Sequence, residues 1–211
     1  REAIYLVIMN SIDFEECAHK LLKMNIGKGH EGELCNMISD CCMQERTYTK
    51  FYGLLAERFC MIDAIYKQHF FRIFVEVYTR IHNETTNKIR NIAKMFAHLL
   101  YTDALDWHVL KSITITEEMT TSSSRIFLKI FFQELAENLG IQKFNEKIKD
   151  KDMAQYYEGL FPTDHPKNTR FAINFFSMIG LNAVTSELRE ELDNMTKLSM
   201  IQQLQAEKEK E

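Results

Sequence analysis

Proline is nearly missing from this sequence, with two residues in 211, and glycine is held to seven. So few breakers, beside plentiful Leu, Met, Lys, Glu and Gln, leave helix as the only regular structure the composition promotes. No apolar run approaches the roughly 18 residues needed to span a bilayer, so no membrane contact by a spanning helix is expected. The five cysteines, Cys17, Cys35, Cys41, Cys42 and Cys60, are odd in number and match no zinc spacing. Cys41 and Cys42, adjacent on a predicted helix, point about 100° apart. They read as reduced thiols acting as small buried hydrophobes in a cytosolic or nuclear protein. There is no GxSxG elbow, HExxH, Walker loop or DxDxDG calcium loop. Gly27, Gly29 and Gly32 of "NIGKGHEG" have neither GxGxxG spacing nor a preceding strand, which excludes a phosphate cradle. No catalytic residue, metal or cofactor is expected.

What is present is ordinary for a folded domain: 45% hydrophobic and 27% charged residues. A formal charge of −4 and a pI near 6.0 argue against coating nucleic acid by bulk electrostatics, so any RNA contact has to be local. Arg1 opens directly into a helical pattern, with neither an initiator methionine nor a signal-peptide cleavage pattern, which reads as an excised domain.

Periodicity then sets out the elements. A first helix covers residues 1–10. Asp13 and Glu16 have the N-cap and N3 chemistry to open a second, reaching Met24. Leu34, Met37, Ile38, Cys41 and Cys42 mark a third from Glu33, and Tyr48, Phe51, Tyr52, Leu55, Phe59 and Ile62 a fourth. A long helix is expected from Ile62 to Ile81, followed by "TNKIRNIAKMFAHLLYTD" and a short helix at Trp107–Leu110. Thr114 and Glu117 fit capping-box spacing and predict a helix connection, although Ile113 and Ile115 alternate briefly like a strand. "TTSSSRIFLKIFFQELAENLG" reads as a serine-rich cap, a central helix apolar on most sides, and Gly140 as its stop. Weaker helices are expected at 143–149 and 154–160. "FPTDHPKN" is then a linker, with Pro166 in the first turn of the next helix. The last packed helix is expected at 185–192. Beyond Met195 the chain is a polar tail with Leu198, Ile201 and Leu204 as its apolar thread. Helix pairs at intervals of roughly 35 to 45 residues predict an all-α, HEAT-like α-solenoid of antiparallel helix pairs.

The most chemically varied stretch is 86–103. On a helix, Ile89, Ile92, Ala93, Phe96, Leu99 and Leu100 share one face, with Arg90, Lys94 and His98 in a stripe beside it. His98 has only Lys94, Met95, Thr102 and Asp103 within a turn, which is no catalytic constellation. The carboxylate pairs Glu15/Glu16, Glu117/Glu118 and Glu190/Glu191 read as solvated faces, each pair pointing its members apart. Lys88, Arg90, Asn91 and Lys94, with Arg125 nearby, are the candidate partner-binding residues, able to dock an acidic partner or a phosphate.

Longer runs carry a likeness. "IDFEECAHKLLKM", "KFYGLLAERFCM", "TNKIRNIAKMFAHLLYTDAL", "TTSSSRIFLKIFFQEL" and "NTRFAINFF" followed by "LREEL" resemble the C-terminal half of the nucampholin family of spliceosome-associated pre-mRNA-splicing scaffolds, over about residues 1–194. Within this, 1–117 resembles the MA-three domain, a helical HEAT-like module. Residues 118–194 resemble a C-terminal helical extension packed on it, and 195–211 is left as a polar helical or disordered tail. The resemblance implies a non-enzymatic scaffold of the spliceosome in the nucleus, at the spliceosome or nuclear speckles, required for splicing and linked to exon junction complex deposition. Implied partners are spliceosomal core proteins, local 5′ exon RNA, and the DEAD-box helicase of the exon junction complex, the last mainly through a preceding domain not in this chain. A nucleolar ribosome-biogenesis relative that recruits a helicase of the initiation factor 4A type shares patterns such as "CCMQERTYTKFYGLLAERFC". It lacks the counterparts of "RNIAKMFAHLLYTD" and "SSSRIFLKIFFQEL".

Overall fold

Side-chain caps set some of the helix starts in this chain. A computed structural model describes residues 1–24, 26 and 28–210; Asn25 and Gly27 of the glycine loop lie outside the described residues. Helix α1 is Glu2–Asn10. Helix α2, Phe14–Lys23, opens where the Asp13 carboxylate accepts the Glu16 N–H at 2.8 Å. Helix α3, Glu31–Gln44, starts two residues before the predicted Glu33, and α4, Lys50–Ile62, starts after Tyr48. The long helix expected from Ile62 to Ile81 is interrupted at its beginning. Asp63 is extended, and its carboxylate accepts the Ile65 N–H at 3.0 Å, so α5, Ala64–Thr79, is a separate helix. Ile81 falls in a 3-10 turn, Ile81–Asn83, ahead of α6, Thr86–Tyr101.

Trp107–Ser112 is a 3-10 helix. Residues 113–120 form the connection expected there, through turns and bends, and the capping-box spacing of Thr114 and Glu117 opens no helix. The backbone there is tied elsewhere, the Ile115 N–H donating to the Gly159 carbonyl at 2.8 Å. The brief apolar alternation is thus one main-chain bond, and no strand occurs among the described residues. Helix α7, Ser122–Leu139, has the expected cap: the Thr121 side chain accepts from the Ser124 N–H and the Ser124 hydroxyl accepts from the Thr121 N–H. Helix α8 is Ile141–Ile148, and the second weak helix shortens to a 3-10 helix, Lys151–Tyr156. Helix α9, Pro166–Met178, begins on its proline. Helix α10 is continuous over Ser186–Lys208.

Two compact units result, the first of Arg1–Val109 with Thr121–Ile141, the second of Leu110–Thr120 with Gln142–Glu211. In the first, α7 is as buried as its composition predicts. Phe74 of α5 meets Phe96 of α6 edge-on at 5.1 Å, and Phe127 and Phe131 of α7 at 5.9 and 5.7 Å. Phe74, Phe96, Phe127 and Phe131 are all buried, and such ring pairs add about 0.5–1.5 kcal/mol each beyond the burial of their area. In the second unit, Phe176 of α9 stacks on Phe161 at 5.5 Å, beside buried Leu160, Val184 and Leu188. No helix among the described residues is long and apolar enough to cross a membrane.

Candidate functional site: the polar side of the sixth helix

Helix α6 is embedded more deeply than a two-stripe helix should be. Ile89, Ile92, Ala93, Phe96, Leu99 and Leu100 are buried as predicted, and Met95, Ala97, Asn91 and His98 join them. Solvent is reached mainly in its first half, at Thr86, Asn87, Lys88, Arg90 and Lys94. Lys88 lies 3.8 Å from Glu84, a turn before it, and Lys94 crosses to Glu134 of α7 at 3.6 Å. Arg90 is exposed and makes no ion pair among the described residues. Arg125 lies in the first turn of α7; nine residues before Glu134, it is about 13 Å from that carboxylate's position along the helix axis. Arg90 and Lys94, four residues apart, share a face of α6, whereas Lys88 lies about 120–160° round the helix from them, and Arg125 is at a distance along α7.

Asn91 does not belong to that surface. Its side-chain amide is buried and donates to two main-chain carbonyls at the end of α3, Cys42 at 3.1 Å and Glu45 at 2.8 Å. In return the Cys42 thiol donates to the Asn91 carbonyl at 3.6 Å. Asn91 is corrected from a partner contact to a tie between α3 and α6. Replacing it with leucine takes away the side-chain donor to the Glu45 carbonyl and leaves the Cys42 carbonyl with the Glu45 N–H alone, and the expected loss is about 1–2 kcal/mol in a urea unfolding curve. An unchanged midpoint would contradict the structural role.

His98 is likewise inside. Its Nε2 is 2.9 Å from a Glu57 carboxylate oxygen on α4 and its Nδ1 is 2.8 Å from the Tyr101 hydroxyl. An ionised carboxylate only accepts, so Nε2 carries a proton toward Glu57; in the neutral ring Nδ1 then accepts from the Tyr101 O–H. Both nitrogens are occupied, leaving none for a metal or a substrate proton. Gly53 of α4 lies against the ring: a Cβ there would stand 2.7 Å from His98 Cγ and 2.5 Å from the Tyr48 hydroxyl oxygen. The imidazole is a bolt between α4 and α6. Sequence reasoning misses both partners: Glu57 is 41 positions away, and Tyr101 is absent from the neighbours counted around His98 although its i, i+3 spacing makes it one.

The five cysteines are all buried and unpaired, as read from their spacing. Burial pushes the Cys41 thiol up to about 11 and Cys60 up to about 12, and raises Cys17, Cys35 and Cys42 as well. At neutral pH they are protonated, the form that neither attacks nor ligates. Among the described residues no group of three or more His, Cys, Asp or Glu side chains is placed to hold a metal ion.

With this geometry in view, comparison with known proteins gives a clear relationship. The MA3 domain family matches residues 1–106, half of the chain. The chain belongs to the MA3 domain family. It is also similar to the pre-mRNA-splicing factor CWC22 homolog of Mus musculus, 59% identical over 210 residues, covering 100% of this chain and 23% of that protein. The pre-mRNA-splicing factor cwc22 of Emericella nidulans is 56% identical over 197 residues, 93% of this chain and 23% of its own length. The Drosophila melanogaster homolog is 55% identical over 197 residues, 93% of this chain and 15% of its own. The chain thus spans less than a quarter of these relatives. Lys88, Arg90 and Lys94 fall within the matched MA3 span, while Arg125 and the whole of α7 follow it, although α7 packs in the same compact unit as α6. The MA3 match and the helical architecture together agree with the HEAT-like class read from the spacing.

Proposed function

We propose that this chain is a scaffold segment of a pre-mRNA-splicing factor, acting in the nucleus at the spliceosome and in speckles, without chemistry of its own. The observation that carries the reading is identity of 55–59% over 93–100% of the chain to proteins named as pre-mRNA-splicing factors in a mammal, a fungus and an insect. Its partners in this reading are large spliceosomal proteins near the 5′ exon, with RNA contact confined to local cations because the chain carries a net negative charge. A link to exon junction complex deposition follows from the same role. Engagement of that complex's DEAD-box helicase is assigned to a preceding domain and not to these residues. Residues 1–117 serve as the MA3 module, 118–194 as its helical extension and 195–211 as a tail.

The contact we assign within the module is Lys88, Arg90 and Lys94, with Arg125 as an outlying cation, against acidic side chains or phosphate. Support comes from the helix beneath them: Asn91 and His98 lock α6 on its buried sides, so the cations are presented from a backbone that does not have to be ordered on binding. Reversing Arg90 and Lys94 together to Glu should lower co-purification with spliceosomes from nuclear extract about tenfold, since like-charge juxtaposition at an interface costs several kcal/mol. Undiminished recovery with a normal melting curve would remove the stripe from the proposal. A chain ending at 194 should be recovered as well as the intact one.

A further inference from the structure

The second compact unit carries a groove that the scaffold reading does not use. It is a cavity of about 490 Å³ between the segment following α8 and the first half of α10. Its floor is apolar, made of Ile148, Tyr157, Val184 and Leu188, all buried. Its α10 wall is acidic: Glu187, Glu190, Glu191 and Asn194 stand at i, i+3, i+4 and i+7, which is one stripe of a helix. Asp150 and Glu158 add two carboxylates on the opposite side, against Lys149 and Lys151. Five acids therefore face two cations. Lys149 donates to the Ser186 hydroxyl at 3.0 Å, and among the described residues the side chains of Glu158, Glu187, Glu190 and Glu191 form no ion pair or hydrogen bond.

Glutamates spaced three and four residues apart on a helix repel one another, and no cation among the described residues forms an ion pair with this stripe. A ligand bringing positive charge gains where the free surface is unfavourable. Phosphate-bearing ligands are repelled by the same field. The buried aliphatic part of the floor, Ile148, Val184 and Leu188, adds a requirement that bare cations do not meet, since it cannot replace the water of a strongly hydrated ammonium ion. We propose that this groove docks a basic peptide segment of a partner protein, with an aliphatic side chain on the floor and lysine or arginine side chains against the carboxylates of α10. The cavity volume is within the roughly 300–1,000 Å³ of ordinary ligand sites, enough for one anchoring side chain and its flanks.

The test uses the full 211-residue chain and a fluorescein-labelled peptide alternating lysine and leucine, read by fluorescence anisotropy. Saturable binding is expected, weakened at least about tenfold by Glu187→Lys, Glu190→Lys and Glu191→Lys together, in line with the cost of like charges at an interface. Ala154→Trp, which fills the exposed rim without altering charge, is expected to weaken it as well. A glutamate–leucine peptide should not bind. The Arg90→Glu, Lys94→Glu chain should bind like the original, which separates this groove from the α6 surface. The proposal is overturned by unsaturable binding, by equal affinity of the lysine triple variant, or by full displacement with spermine at unchanged ionic strength, since the last means that charge alone suffices. An Ala154→Trp variant that binds normally while melting normally overturns the floor contact in the same way.

Discussion

Phe131→Ala should lower the unfolding free energy by about 3–5 kcal/mol, the range for removing a buried phenylalanine from a core that cannot close over the gap. Phe131 is fully buried and touches three rings, Phe74 at 5.7 Å, Phe127 at 5.5 Å and Phe132 at 5.4 Å. The loss is therefore of transfer free energy, of dispersion contacts and of ring geometry at once. Rigid neighbours on α5 and α7 limit relaxation, which places the expected cost high in its class. Stability contributions in a single domain are commonly about 5–15 kcal/mol in total, so this variant should approach the threshold of folding at 37 °C. Guanidinium unfolding followed by circular dichroism gives the number. Met178→Ala is the control: that side chain is 79% exposed, and surface changes of this kind stay within about 0.5 kcal/mol. If both variants unfolded at the midpoint of the parent, the aromatic cluster would not be the anchor of the first unit.

Gly159→Ala should destabilise by about 2–3 kcal/mol, although it adds one methyl group at a position that is not deeply buried. The reason is backbone proximity. A Cβ at 159 would stand 2.2 Å from the Ile113 carbonyl oxygen and 3.1 Å from the Thr114 hydroxyl oxygen. Neither chain can yield without stretching the 2.8 Å bond from the Ile115 N–H to the Gly159 carbonyl. That bond ties residues 113–115 to the turn before Phe161, so the substitution should expose both segments together. Hydrogen exchange at the Ile115 amide is the direct readout, with faster exchange expected. An alanine variant of normal stability and normal protection at Ile115 would mean that the two segments are not held this closely.

Much of the helical order could be read from local chemistry, and the failures have a common origin. Asp13, Thr121 and Pro166 begin helices where expected because each satisfies or removes an orphan N–H within three residues of itself. Thr114 and Glu117 have the same spacing and begin nothing, since the backbone between them is held by a residue more than forty positions later. Residues 62–81 carry an unbroken apolar period, yet Asp63 splits it, because a capping carboxylate outweighs periodicity at one residue. Glu190 and Glu191 are exposed, as their spacing implies, but local spacing does not show that with Glu187 they border one groove whose opposite side comes from 148–158. Asn91 was read as part of an exposed stripe and is instead buried among main-chain carbonyls.

The sequence by itself determined the all-helical class, the caps, the burial of the thiols and the central place of α7, because each of these depends on spacing within a few turns or on the total apolar content. Only the tertiary structure decided that His98 is a bolt held by Glu57, that Asn91 faces inward, that Gly159 cannot carry a side chain, and that three glutamates border a cavity. Those four are relations between residues distant along the chain, and a helical period of 3.6 specifies which face a side chain takes without specifying what stands across from it.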